Sequence, residues 1–152
     1  IFEGEALGKI INFKNTLVKT ADVHKYYKSP DIFRLYILCV HPSYQSKGLE
    51  TALLEAFLEL ASTLEIPVAV GLFTSGINQE FAKNAGFDVL TEIRYSKWII
   101  DDKVVFPNPG IGNYSAAFMG MLTPSIEHLE RVREERRAVK REEERRRRKR
   151  WS

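Results

Sequence analysis

The sequence predicts an α/β domain, a mixed sheet with flanking helices, and three observations carry that expectation. Leu35-Tyr36-Ile37-Leu38-Cys39-Val40 and Ile66-Pro67-Val68-Ala69-Val70-Gly71-Leu72-Phe73 are short apolar runs of strand-like composition. Between them Leu49, Ala52, Leu53, Ala56, Phe57, Leu60, Ala61 and Leu64 recur at helical spacing. Strand, helix and strand, followed by a short helix and more strands, is the order of a βαβ unit in a sheet that also accepts antiparallel strands. At 152 residues and 44% hydrophobic content, the chain is long enough for one domain with a real core.

Taken in order, residues 5–13 read as a turn at Gly8 followed by a strand. Residues 17–30 are mixed and polar, with a short helix or loop over 23–27 stopped by Pro30. The strand 35–40 and the helix 48–64 follow. Cys39, alternating with Leu38 and Val40, is expected as a small hydrophobe on a buried strand. The run 66–73 is too continuously apolar to have a wet face. Residues 74–76 form a loop and 78–85 a short helix, with Gly86 as its C-cap. Residues 87–90 and 93–100 are strand-like, Asp101-Asp102-Lys103 is a turn, and Pro107-Asn108-Pro109-Gly110 breaks regular structure. Residues 115–122 make a last strand, weakened by Gly120.

The formal charge of +3 hides a division. Residues 127–152 hold 12 Lys/Arg against 7 Asp/Glu, so the basic excess belongs to the tail. Residues 1–124 are expected to form the domain and 125–152 a charged helix with Ser125 as its N-cap. Glu127–Arg131, Glu142–Arg146, Glu143–Arg147 and Glu144–Arg148 are i,i+4 pairs with the acid first, each worth about 0.2–0.5 kcal/mol to an isolated helix. After Val132 only Ala138, Val139 and Trp151 are apolar, so this helix is expected to bury no face and to project into solvent. Its Arg-rich end, residues 145–150, suits RNA, acidic lipid heads or an acidic protein; the plainer reading is a solvated helix without a partner. No apolar run reaches membrane-spanning length, and no signal-peptide pattern opens the chain. The single cysteine leaves no internal disulfide and no metal-ligand cluster, which fits a reducing, cytoplasmic setting without a metal. A start at Ile1-Phe2 rather than Met reads as a fragment or a processed product.

The chemistry concentrates at Val40-His41-Pro42-Ser43-Tyr44-Gln45-Ser46-Lys47-Gly48-Leu49-Glu50. A strand that turns through Gly into a helix start presents unpaired backbone N–H groups and the positive end of a helix dipole, an arrangement that binds phosphate. His41, at the strand exit, has the unperturbed pKa of a general base; the plainer reading is a loop histidine capping the turn before Pro42. Tyr44 packs in the turn or donates a proton. Ser75 stands where it can cap the following helix.

Gln45-Ser46-Lys47-Gly48-Leu49-Glu50 after Leu38-Cys39-Val40-His41-Pro42 resembles the acetyl-CoA motif of the GNAT superfamily of N-acetyltransferases, Arg/Gln-x-x-Gly-x-Gly/Ala after a strand. Ala85-Gly86-Phe87 is similar to that superfamily's Gly-Phe corner. Phe73-Thr74-Ser75, Ile93-Arg94-Tyr95-Ser96 and Val105-Phe106 look most like the arthropod arylalkylamine N-acetyltransferase branch. The likeness covers roughly residues 4–122. It implies a GNAT-type fold lacking its N-terminal part, and transfer of acetyl from acetyl-CoA to a primary amine, which the branch resemblance narrows to an arylalkylamine. It further implies that the amides of Gln45, Ser46, Lys47, Gly48, Leu49 and Glu50 grip the pyrophosphate. By the same resemblance the Leu38 amide polarises the thioester carbonyl, and Val40 backbone groups hold the pantetheine arm. Thr74, Ser75 and Asn78 fall near the cofactor cleft, for thiolate protonation and pantetheine contact.

Two positions depart from the pattern. Glu50 stands where the motif has Gly or Ala, and beside a diphosphate its charge costs about 1–4 kcal/mol at 4 Å. It either swings outward or is offset by Lys47. Ala82 stands where many members carry the Tyr that protonates the thiolate, a Tyr the arylalkylamine branch commonly lacks too. The alternative to an enzyme is a non-catalytic GNAT-like module whose phosphate site Glu50 impairs and whose tail makes the contacts.

Overall fold

The structure, a computed structural model, describes residues 4–45 and 47–150. The second apolar run forms β2 (Val68–Phe73), and beside it, parallel, lies β1 (Phe33–Leu35), which begins two residues before the first run and shares only Leu35 with it; Phe33 stands opposite Ala69 and Leu35 opposite Gly71. The helix between them, α3 (Leu49–Thr63), makes the crossover. A short helix α4 (Gly76–Asn84) leads to β3 (Asp88–Arg94), and β6 (Ser115–Leu122) returns between β2 and β3, antiparallel to both. The order is β1-β2-β6-β3, a mixed sheet as expected.

Helices cover both faces, which is why β2 and β6 are apolar at consecutive positions. Val68, Val70, Ala116 and Phe118 point to α1 (Glu5–Ala21), meeting Phe13, Leu17 and Ala21, and to Val23 of α2 (Val23–Tyr27). Ala69, Phe73, Ala117 and Met119 point the other way, to Leu54 and Leu58 of α3 and Ala82 of α4. Leu17 is wholly buried, and truncating such a side chain to Ala costs about 2–5 kcal/mol.

Residues 5–13 are helical and not the expected turn and strand. Phe13, Leu17 and Ala21 repeat every four residues on one buried face, and that packing outweighs the β-branched pair Ile10-Ile11. Gly8 lies inside the first turns, its N–H bonded to the Gly4 carbonyl. The expected strand 35–40 pairs only as far as Leu35; Cys39 is exposed, not buried, as are Tyr36 and Ile37. Residues 87–100 resolve into β3, a 3-10 turn over Tyr95–Lys97, and the first arm of a hairpin, β4 (Ile99–Ile100) with β5 (Lys103–Val104). Asp101 and Asp102 both take positive φ, 50° and 58°, as a two-residue hairpin turn twisted to match its strands requires. Gly120 does not weaken β6. A Cβ there would stand 3.0 Å from the Tyr27 hydroxyl and 3.1 Å from Val70 Cγ1, so glycine lets Tyr27 lie over the strand.

The last helix, α5 (Ile126–Arg150), is capped by Ser125, whose Oγ accepts the His128 N–H at 3.2 Å. None of its described residues is fully buried, yet its start packs against the domain and does not simply project into solvent. Leu129 packs on the α3–α4 core, Arg133 donates to Glu59 at 2.7 Å, and Arg136 pairs with Glu55. Residues 134–150 are exposed throughout. Of the expected helical pairs, Glu142–Arg146 forms at 3.2 Å, while Arg131 contacts His128 Nδ1 instead. No helix among the described residues is long and apolar enough to cross a membrane.

Candidate active site

Beyond Leu35 the chain leaves β2, which runs on to Phe73, and the two diverge around a cavity of about 230 Å³. One wall is Leu35 to Leu38; the other is Leu72, Phe73, Thr74 and Asn78. The divergence brings together Leu38, Thr74 and Asn78, which are up to 40 positions apart in sequence. A larger cavity of about 820 Å³ lies on the other side of α4, around Glu92, Tyr95 and Tyr114, and contains none of the sequence-predicted site residues.

The lip formed by residues 73–78 is held by buried polar groups that sequence reasoning did not single out. Gln79, 7% exposed, donates from Nε2 to the Phe73 carbonyl at 3.2 Å and the Ser115 carbonyl at 2.9 Å. It bridges β2 and β6 just where their ladder ends at Phe73 and Ala117. The Tyr95 hydroxyl donates to the Thr74 carbonyl at 2.6 Å, and burial pushes its pKa up, keeping it a donor. Ser75 caps α4, its Oγ accepting the Asn78 N–H at 3.3 Å. No pattern of spacing marks Gln79 or Tyr95, because their partners are backbone carbonyls.

The other part of the site is the turn into α3. Residues Pro42–Tyr44 form one 3-10 turn, with Gln45 Nε2 donating back to the Val40 carbonyl at 3.3 Å. His41 Nδ1 accepts the Ser43 N–H at 3.2 Å, so the lone pair of the neutral ring is committed to the turn. His41 lies outside the residues that line the small cavity. Gly48 opens α3 at φ 81°, with nothing within 4 Å of the place a Cβ would take. Among the described residues no side chain caps the first amides of this helix. Ser46 lies outside the described residues. Lys47 Nζ sits 5.2 Å from the Tyr44 ring centroid and forms no ion pair with Glu50. Glu50 turns inward, not outward. It is 6% exposed, and its Oε2 has no hydrogen-bond partner among the described residues.

Solved structures with a similar fold exist. Arylalkylamine N-acetyltransferase 2 from Aedes aegypti superposes with a TM-score of 0.77, over 81% of this chain and 57% of that one, at 22% identity. This chain has the GNAT acetyltransferase fold. A mosquito arylalkylamine N-acetyltransferase-like protein 5b gives 0.72 over 80% and 57% at 23% identity. A Drosophila melanogaster polyamine N-acetyltransferase that forms N-acetylagmatine gives 0.68 over 76% and 56% at 17% identity. The chain thus spans less than two thirds of the length of each. No family model and no curated protein matches it in sequence.

On the GNAT fold, β1 and β2 are the diverging strands, and Gly48 stands at the head of the helix after the first. Ala82 is wholly buried in the α3–α4 core and offers no hydroxyl. Thr74 and Asn78 are then the polar side chains of the lip that face the cleft. The uncapped amides and the open space above Gly48 fit a diphosphate, and the buried Glu50 carboxylate is the one group in the turn that opposes it. Among the described residues no group of three or more His, Cys, Asp or Glu gathers to hold a metal.

Proposed function

We propose that this chain transfers an acetyl group from acetyl-CoA to a primary amine. The observation that carries the reading is the cleft between the diverging strands, where Leu38, Thr74 and Asn78 meet. In this reading the turn from Gln45 to Glu50, Ser46 included, holds the diphosphate through its amides, and Val40 and Ser75 meet the pantetheine arm. The Leu38 N–H donates to the thioester carbonyl as it gains negative charge, a contribution of a few kcal/mol where such a donor is preorganised. The amine nitrogen attacks the carbonyl carbon, the C–S bond breaks, the nitrogen loses a proton and the sulfur gains one. Thr74 Oγ1 and the Asn78 amide, on the wall facing Leu38, would supply the proton or hydrogen bond to that sulfur. Holding both reactants in one cleft supplies much of the remaining acceleration. His41 serves the turn in this scheme and not proton transfer, because its lone pair already accepts the Ser43 N–H. Solved relatives of this fold named for arylalkylamine and agmatine N-acetyl transfer support the reaction class.

A second reading, a GNAT-like module that does not catalyse, is favoured by one observation, the buried unpaired carboxylate of Glu50 in the first turn of α3. Calorimetry with acetyl-CoA, followed by thiol release on adding tyramine or, separately, tyrosine, separates the two. Binding with amine-dependent thiol release is the expected result. Binding without thiol release favours the non-catalytic module, and the absence of binding refutes the first reading.

A further inference from the structure

The charge of the cleft is the opposite of what a simple amine needs. Lys14 of α1 and Arg34 of β1 both line it, and no Asp or Glu does. The Arg34 guanidinium lies over two rings, its carbon 4.6 Å from the centroid of Tyr36 and 5.4 Å from that of Phe118. Its Nε is buried and has no hydrogen-bond partner among the described residues. Neither cation makes an ion pair among the described residues. A guanidinium lying over aromatic rings, with unspent N–H groups, is a preformed fork for a carboxylate. Two cations without a counter-charge also repel an ammonium, and repel agmatine or a polyamine, with their additional positive charges, more strongly.

We propose that the acceptor amine carries a carboxylate as well, an amino-acid-like substrate whose acid lies against Arg34 with Lys14 assisting. The proposal rests on reading this cleft as the site of acetyl transfer. The acid sets the acceptor's orientation: once it is on Arg34, the amino group of the same small molecule is directed along the wall toward Leu38 and Thr74. Sequence patterns hid this, because Arg34 sits in an apolar stretch and Lys14 on a helix 20 residues earlier.

The test is calorimetry with two matched reaction products, N-acetyltyrosine and N-acetyltyramine, which differ by the carboxylate alone. Acetyl-CoA is titrated separately into each protein. The unaltered chain is expected to bind N-acetyltyrosine at least about tenfold tighter, and Arg34→Gln to reduce that preference to about twofold or less. Lys14→Gln, at an exposed position that folding does not need, is expected to reduce it partially. Equal binding of the two products, preference for the uncharged one, or no binding of either overturns the proposal. So does a preference that survives in both variants. Acetyl-CoA binding with no discrimination sinks this inference and leaves the acetyltransferase reading standing, whereas loss of acetyl-CoA binding in the unaltered chain sinks the reading itself.

Discussion

Glu50→Ala changes ligand affinity far more than stability. The carboxylate leaves the first turn of α3, where it is 6% exposed with one oxygen unpartnered. Losing a favourable charge at a helix N-terminus costs about 0.3–1 kcal/mol. Losing the burial of one methylene costs about 0.8 kcal/mol. Relieving a buried unpartnered polar atom returns about 1–3 kcal/mol. These nearly cancel, so urea unfolding is expected to place the variant within about 1 kcal/mol of the parent. Affinity has no such cancellation. A unit charge about 4 Å from a phosphate costs about 1 kcal/mol in bulk water and about 4 kcal/mol at an effective dielectric of 20. Burial puts Glu50 toward the upper figure, and acetyl-CoA binding by calorimetry should tighten roughly 500-fold. Glu50→Gln keeps the shape without the charge and should recover most of that gain. Unchanged affinity in both variants would refute the reasoning, since the carboxylate would then not be felt at the turn.

Two glycine substitutions should act with opposite signs in the same urea assay. Gly76→Ala places a Cβ 2.3 Å from the Gly112 carbonyl oxygen and is expected to cost about 1–3 kcal/mol, dislodging the loop whose Asn113 accepts the Gly76 N–H. Gly8→Ala, in a helix with open space above it, is expected to add about 0.5–1 kcal/mol. Stability should also decline in alkali. Burial holds the Tyr27 pKa at about 12 against 10.0 ordinarily, so the unfolded chain releases its proton first, and stability present below about pH 10 is lost as pH rises toward 12. Tyr95 is raised by burial as well and adds in the same direction, and Tyr27→Phe should flatten the decline measured by urea unfolding at successive pH values. Removing Arg133 and Arg136 together should cost about 1 kcal/mol or less at low salt, and less still in 1 M salt, because these ion pairs are partly exposed. Hydrogen exchange should then quicken in the first turns of α5 and stay fast, as before, over residues 134–150.

The βαβ centre was legible because burial on two faces leaves a mark in every residue of β2 and in the periodicity of α3. The same reasoning failed for α1, whose Ile10-Ile11 pair is strand-like while its buried face of Phe13, Leu17 and Ala21 is spread over more than two turns. It also overextended β1. Apolar composition from Tyr36 to Val40 says that those residues avoid water, but pairing needs a partner, and β2 follows only to Leu35. The turn into α3, proposed to hold a diphosphate, was readable from Gly48, which needs positive φ and has it. The inward turn of Glu50 was not, because side-chain direction at one helical position depends on packing that no local pattern encodes. For the tail, hydropathy rightly left residues 134–150 in solvent but overlooked that Leu129, Arg133 and Arg136 meet α3 on one helical face.

The lip of the cleft hangs from elsewhere. Its carbonyls at Phe73 and Thr74 are taken by Gln79 and Tyr95, and Gln79 also holds Ser115, at the start of a strand that never touches the cavity. A substitution at Gln79 or Tyr95 can therefore reset Thr74 without altering any residue that lines the cavity. Lineages carrying this chain have a way to retune the cleft by drift at its far supports, and inspection of the cleft's own lining would not reveal it.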